Sequence, residues 1–145
     1  MTPEKAYELA LMKGPSNKTR KISCGYQEIA YWYAKDVDKC PHDDTRESAC
    51  GDPEYAYLYA LNVDECPRED TREAVCAEPH FAYYYAKDVD KCPSDKTRKA
   101  VCEDVYYAYL YAKNIDKCFR EDTFTKLHRD LLFSKEYDEY IVDIS

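Results

Sequence analysis

Ala56-Tyr57-Leu58-Tyr59-Ala60 is the stretch that decides the fold of this 145-residue chain, because variants of it return at a constant interval. It returns as Ala82-Tyr83-Tyr84-Tyr85-Ala86 and as Ala108-Tyr109-Leu110-Tyr111-Ala112, and an earlier copy is Ala30-Tyr31-Trp32-Tyr33-Ala34. A Thr-Arg pair and two sets of cysteines follow the same period. The period is 26 residues. A fixed period in this range is typical of a solenoid, in which near-identical units stack on one another.

The first half of each unit predicts a long helix. In residues 52–77, Asp52 followed by Pro53 is typical of a helix start, with a capping carboxylate and a proline at the first helical position. Apolar residues then recur at helical spacing as far as Cys66. Pro67 is expected to end the helix, since the residue before a proline avoids the α region.

The second half of the unit predicts a short helix over residues 71–77. Asp70 with Glu73 three positions later has the form of a capping box, and Asp44 with Glu47 repeats it one unit earlier. Each unit is therefore expected to be a long helix, a tight acidic turn and a short helix.

These patterns predict an all-α protein, an α/α solenoid of four 26-residue helix-turn-helix units with atypical capping ends. A single helical-repeat domain is predicted over residues 1–145, with the four repeats in 26–122. Residues 1–25 and 123–145 depart from the pattern, and we expect them to be N-terminal and C-terminal caps that cover the last apolar faces.

The eight cysteines alternate between a longer interval, as from Cys24 to Cys40, and a shorter one, as from Cys40 to Cys50. Disulfide bonds would pair Cys40 with Cys50, and likewise 66 with 76 and 92 with 102. We favour reduced cysteines, because a strong aromatic core needs no covalent staples and the first cysteine of each unit falls on the apolar face of its helix. The chain has no Cys-x-x-Cys motif and its three histidines do not recur in register, so neither a metal site nor another cofactor is predicted.

Several recurring residues are interpreted as structural ladders between units. Arginines are expected to form a ladder through bridges to recurring aspartates; the arginines are Arg20, Arg46, Arg72 and Arg98, and the aspartates are Asp38, Asp64, Asp90 and Asp116. Recurring tyrosines are expected to stack in the same way, at Tyr57, Tyr83 and Tyr109. A repeated anion site at the arginines and an aromatic binding surface at the tyrosines are the alternatives.

Function is expected at positions that differ between units, since stacking does not determine them. The candidate partner-binding residues lie at the turns, at a helix start and in one long helix: His42, Arg68, Ser94, Arg120, Gln27 and Leu61. No catalytic residues are predicted, because no phosphate-binding glycine loop, nucleophile-base pairing or metal-ligand motif occurs. The chain is therefore predicted not to be an enzyme.

The formal net charge of −8 argues against direct binding to nucleic acid, since that affinity comes from clustered Lys and Arg. The acidity allows a basic partner or a nucleic-acid-binding protein as partner. The N-terminus lacks a secretory pattern and no uncharged stretch is long enough to cross a membrane, so the expected location is the cytoplasm, or the host cytoplasm for a viral protein. The oligomeric state stays open.

An Ala-Val pair, a gap, an Ala-x-x-Tyr-Ala segment and an acidic turn resemble a family of short helical repeats known as domain of unknown function 4116. The residues that carry the resemblance are Ala74-Val75 with Ala82–Ala86 and Ala100-Val101 with Ala108–Ala112, and the resemblance covers about residues 19–123. It implies a bacterial, phage or giant-virus source and supplies no activity.

Two functions are compatible with these observations. The first is a non-enzymatic protein-protein interaction module that uses the surface of the helical solenoid. The alternative is an acidic, phage-encoded inhibitor that occupies the basic nucleic-acid-binding groove of a host protein.

Overall fold

The computed structural model describes residues 1–118, 120–128, 135, 136, 138, 139 and 142. In this part of the chain every regular element is a helix, and the helices follow one another in helix-turn-helix pairs, which confirms the predicted α/α solenoid. The chain divides into two compact units, Met1–Val75 (unit 1) and Cys76–Ser145 (unit 2), which are described one at a time. The single domain over residues 1–145 stays a prediction.

Each helix pair consists of a long helix, which after the first pair includes a π-helical continuation, and the short helix that follows it. Unit 1 contains α1 Pro3–Lys13, α2 Asn17–Ser23, α3 Gln27–Trp32, α4 Asp43–Ala49, α5 Pro53–Tyr59 and α6 Glu69–Val75. The described part of unit 2 contains α7 Pro79–Tyr85, α8 Asp95–Val101, α9 Val105–Tyr111 and α10 Glu121–His128. Within a unit, each long helix packs on its short helix and on the long helix of the next pair.

The long helices begin where the sequence predicts. The Asp52 side chain accepts a hydrogen bond from the backbone N–H of Glu54, and Pro53 is the first residue of α5. The predicted capping boxes at Asp44 and Asp70 are wrong, because α4 begins at Asp43 with His42 as N-cap and α6 begins at Glu69, so both aspartates lie inside their helices. The N-cap of α4 therefore lies two residues before Asp44, the N-cap that the sequence predicts.

The long helices end differently from the prediction. Among the described residues, four of them continue into π-helical segments, which are Tyr33–Asp38, Ala60–Asp64, Ala86–Asp90 and Ala112–Asp116. Each segment is followed by a residue in the left-handed conformation, with φ between 53° and 56°: Lys39, Glu65, Lys91 and Lys117. The helix thus ends ahead of Pro67, because the left-handed residue has already turned the chain.

Alanines and tyrosines form the core of both units. The paired alanines of the long helices are fully buried, for example Ala56 and Ala60 in unit 1 and Ala82 and Ala86 in unit 2. Alanine side chains let neighbouring helices approach closely, while one tyrosine in each of the four pairs after α1 and α2 fills the remaining volume. The largest fully buried side chains are these tyrosines, at positions 33, 59, 85 and 111.

Residues 1–25, predicted to be a cap, form a helix pair of their own. Gly14 ends α1 with φ of 94°, a conformation that favours glycine. Most of the predicted C-terminal cap, residues 123–145, lies outside the described residues. Among the helices that are described, none has the length and apolar character needed to span a membrane.

Ser23 of α2 places a polar side chain in the core without a hydrogen-bond partner. Its side chain is fully buried and its hydroxyl has no hydrogen-bond partner, whereas Ala49 and Val75 fill the equivalent positions of α4 and α6. We expect Ser23→Ala to raise the free energy of unfolding by about 1 kcal/mol, because it removes a desolvated hydroxyl that makes no hydrogen bond.

Chemical denaturation followed by circular dichroism measures this effect. Ser48→Ala is the matched control, since the Ser48 hydroxyl donates a 2.8 Å hydrogen bond to the Cys24 carbonyl and its removal should destabilise. A loss of stability in Ser23→Ala would contradict the prediction.

Candidate functional site

Within each unit, a buried tyrosine hydroxyl joins a short helix to the long helix of the next pair. In unit 2 the Tyr111 hydroxyl accepts a hydrogen bond from the Ser94 backbone N–H at 2.9 Å and lies 2.8 Å from the Thr97 hydroxyl. It also donates to the Ser94 carbonyl at 3.1 Å. Burial raises the pKa of Tyr111, although the hydrogen bonds from Thr97 and Ser94 oppose that shift. The neutral hydroxyl is therefore held in a fixed hydrogen-bond network.

The same connection occurs twice in unit 1. The Tyr59 hydroxyl contacts Thr45 at 2.8 Å, and the Tyr33 hydroxyl contacts Thr19 at 2.7 Å. Both threonines are buried. Sequence reasoning missed this pairing, although the same short interval separates the threonine from its tyrosine in every one of these pairs.

An arginine beside each of these threonines forms a buried ion pair with the last residue of the next π segment. Arg46 donates to Asp64 through Nε at 3.0–3.1 Å and through Nη2 at 2.6 Å, and Arg98 binds Asp116 in the same way. The side chains of Arg46 and Asp64 are 6% and 1% exposed. The hydrogen bond to Asp64 raises the pKa of Arg46 above its ordinary value, so the guanidinium stays charged.

Three arginines of the predicted ladder, Arg20, Arg46 and Arg98, thus bridge two helices. Arg20 forms its pair with Asp38 at 2.7 Å, whereas the contact of Arg72 with Glu69, also at 2.7 Å, lies within α6. Each arginine of the buried pairs also lies over the tyrosine of its own network, with Cζ 5.7–5.9 Å from the ring centroids of Tyr33, Tyr59 and Tyr111. The charge and the hydrogen-bond donors of these arginines are already engaged by the aspartate and the tyrosine of neighbouring helices. This favours a structural role for the arginines over an anion-binding site.

Of the tyrosines predicted to stack, Tyr83 is buried and Tyr57 and Tyr109 are half-buried. The Tyr83 hydroxyl accepts a 3.0 Å hydrogen bond from the Asn114 side chain, and Tyr31 accepts one from Asn62 at 2.9 Å. These hydrogen bonds connect adjacent long helices within a unit, so they add to the stacking of the pairs.

The candidate turn residues begin the short helices. His42 and Ser94 are the N-cap residues of α4 and α8, and their backbone N–H groups bind the buried tyrosine hydroxyls. Arg68 and Arg120 are exposed, and Arg68 Nε lies 3.8 Å from Asp70. The backbone at these turns is therefore structural, and only the exposed side chains differ freely.

The two other candidates lie in long helices of unit 1. Gln27 is half-buried and packs so closely on Gly51 that a Cβ atom there would be 2.7 Å from Gln27 Nε2. Leu61 is half-buried in a π-helical segment. The structure does not bring the six candidates together into one site within either unit.

The eight cysteines are free and fall into two sets of four. Cys40, Cys66, Cys92 and Cys118 are exposed, so the prediction that this set lies on the apolar face of a helix is wrong. The chain has already left the helix at the left-handed residue before each of them. The other set is half-buried at the ends of the short helices, where burial raises the pKa of Cys24, Cys50 and Cys102 to about 11.

We expect the two sets to react at different rates with iodoacetamide in the native protein at pH 8. The thiolate is the reacting species, so shielded thiols with a raised pKa should be alkylated about tenfold or more slowly than the exposed set. Peptide mass spectrometry over a time course measures the rate at each cysteine. Uniform alkylation under native conditions would contradict the prediction, and uniform alkylation in urea is the control.

Two open depressions lie along the short helices. One, of about 340 Å³, is lined in unit 1 by Lys21, Cys24, Asp44, Glu47 and Ser48. The other, of about 580 Å³, lies in unit 2 beside Arg98 and Arg120. Across the described residues, no group of three His, Cys, Asp or Glu side chains is placed to hold a metal ion.

A surface cluster of aromatic rings lies in unit 2. It consists of His80, Phe81, Tyr84, Tyr106 and Tyr107 on α7 and α9, and is called the aromatic patch below. The ring of Tyr107 lies 5.9 Å from that of His80 and 5.2 Å from that of Tyr106, and His80 lies 4.0 Å from Phe81. Tyr106 is 49% exposed and Tyr84 is 37% exposed.

The equivalent surface of unit 1 also carries rings, with Tyr31 5.0 Å from Trp32 and 6.0 Å from Tyr55, but it is acidic at one position of the repeat. Glu28 and Glu54 occupy the same position of their repeats as His80 and Tyr106 do in theirs. Both glutamates are exposed, so the repeat does not require an aromatic ring at this position. Comparing these four positions in the sequence could identify the patch, whereas the aromatic binding surface considered as an alternative above involves only Tyr57, Tyr83 and Tyr109.

Comparisons of the chain with protein-family models, with curated proteins and with solved structures found no match in any of the three.

Proposed function

We propose that this chain is a non-enzymatic protein-protein interaction module and that the aromatic patch of unit 2 is its binding site. The observation that carries the proposal is Tyr106, half exposed at a position where two other repeats place glutamate. An aromatic ring that stacking does not need, and that remains in contact with water, is better explained by a partner.

Tyrosine is suited to such a role. It is enriched at protein interfaces and among the residues that dominate their binding energy, since its ring gives a large contact area and its hydroxyl can hydrogen-bond at the rim. The patch is also fixed in position, because Tyr107 packs against the core cluster around Tyr83 and Tyr111. A preorganised patch loses little conformational entropy on binding.

The experiment is affinity capture with the double variant Tyr84→Ala/Tyr106→Ala. We expect binding of a captured protein partner to weaken about 30-fold or more, as is usual when two central aromatic residues are removed. Tyr26→Ala is the matched control, because Tyr26 is a 55% exposed tyrosine of unit 1. Binding that survives the double variant, or that falls equally with Tyr26→Ala, would overturn the proposal.

A further inference from the structure

The chain binds its own arginines with one recurring combination of groups. In unit 1, Arg46 lies over the Tyr59 ring and forms an ion pair with Asp64. In unit 2, Arg98 uses the Tyr111 ring and Asp116 in the same way. A tyrosine face beside a carboxylate attracts a guanidinium through both the ring quadrupole and the opposite charge.

The aromatic patch presents the same groups at the surface. Asp104 is the exposed N-cap of α9, directly before the helix that carries Tyr106 and Tyr107. Its two capping hydrogen bonds, from the backbone N–H groups of Tyr106 and Tyr107, both end on the oxygen Oδ1. Exposed Glu103 precedes it in the chain.

A further carboxylate lies on the neighbouring helix. Glu78 is the exposed N-cap of α7, and its Oε2 lies 3.6 Å from Nε2 of His80, a member of the patch. The rings of His80, Tyr106 and Tyr107 and three carboxylates therefore belong to the N-terminal ends of α7 and α9. Tyr84 lies further along α7, where the chain's own Lys87 Nζ is 6.0 Å from its ring centroid, so the ring already attracts a cation.

Resting on the proposed function, we propose that the aromatic patch binds arginine side chains of a basic segment in a protein partner. The complementarity is twofold: the ring faces and the acidic groups at the helix starts both favour a cation. Arginine fits better than lysine, because the planar guanidinium stacks on a ring and still donates hydrogen bonds from its edge.

The test measures binding of a labelled peptide in which four arginines alternate with Gly-Ser pairs, by fluorescence anisotropy at about 150 mM salt, where long-range attraction is screened. The same peptide with lysine or with neutral citrulline in place of arginine gives the comparison. We expect the arginine peptide to bind at least fivefold more tightly than the lysine peptide, and the citrulline peptide not to bind.

Two variants of equal net charge separate ring stacking from simple attraction. Tyr106→Glu and Lys99→Gln each make the chain more negative by one unit, and Tyr106→Glu introduces the residue already present at Glu54. Tyr106→Glu should weaken binding of the arginine peptide at least fivefold, whereas Lys99→Gln, on the exposed side of α8, should leave it unchanged or slightly tighter. Circular dichroism confirms that both variants are folded.

Equal binding of the arginine and citrulline peptides, or equal effects of the two variants, would overturn the inference. A captured protein whose binding requires Tyr84 and Tyr106 but is unaffected by excess arginine peptide would overturn it too, while leaving the proposed function intact.

Discussion

Arg46→Ala is expected to lower the free energy of unfolding by about 3–5 kcal/mol. The substitution leaves Asp64 with a side chain that is 1% exposed and has lost its guanidinium partner, so an unpaired carboxylate stays buried. Three donor contacts to Asp64 disappear together, at distances of 2.6–3.1 Å. Removing one member of a buried pair costs far more than the pair contributes on balance.

Asp43→Ala is the matched control for this prediction. Asp43 also binds Arg46, at 2.9 Å, but its side chain is 98% exposed. Water replaces such a contact easily, so we expect a cost below about 1 kcal/mol. Urea denaturation followed by circular dichroism compares the two variants, and similar losses in both would contradict the argument.

A double replacement tests whether the charge itself is the cause. In Arg46→Met/Asp64→Leu neither ion remains, so no unpaired charge is buried. This variant should lose less stability than Arg46→Ala. A larger loss would mean that packing around the guanidinium, not the unpaired carboxylate, accounts for the effect.

Tyr111→Phe is expected to cost about 1–3 kcal/mol, and Tyr111→Ala about 3–5 kcal/mol. The phenylalanine variant keeps the ring but leaves the Ser94 N–H and the buried Thr97 hydroxyl without the oxygen they contact at 2.9 and 2.8 Å. The alanine variant also opens a cavity, because Tyr111 is fully buried.

The same measurement on Tyr106→Phe provides the control, since this exposed tyrosine of α9 should change stability by less than about 1 kcal/mol when its hydroxyl is removed. In Tyr111→Phe/Thr97→Val both partners of one hydrogen bond are removed at nearly constant shape. Its cost should be smaller than the sum of the two single variants, since no orphaned hydroxyl remains on either side. Strict additivity would contradict the proposed network.

The period of the sequence was sufficient to predict the helix pairs, because composition and spacing alone identify a repeat. The Asp52-Pro53 start could be predicted as well, since capping is a local interaction. The ends of the long helices could not. A π-helical turn contains more residues than an α-helical turn, so an α-helical period extrapolated past Ala60 places Cys66 on a face that the helix never forms.

The site was predicted only in part. Recurring opposite charges made the pairing of Arg20, Arg46 and Arg98 with aspartates foreseeable. The role of Tyr59 was not, because periodicity does not distinguish a fully buried ring from its half-buried neighbour Tyr57. The aromatic patch was missed because attention to the recurring tyrosines conceals the position of Tyr106, which is glutamate at 28 and 54 and histidine at 80.

The hydrogen bonds between successive helix pairs also bear on how this chain folds. Within each unit they join residues only 14 to 31 positions apart, from Thr97–Tyr111 to Tyr83–Asn114. Loops of this length close at little entropic cost, and chains dominated by such contacts reach the native state rapidly. Each pair can form as soon as its predecessor has, so the unit can fold in the order in which it is synthesised.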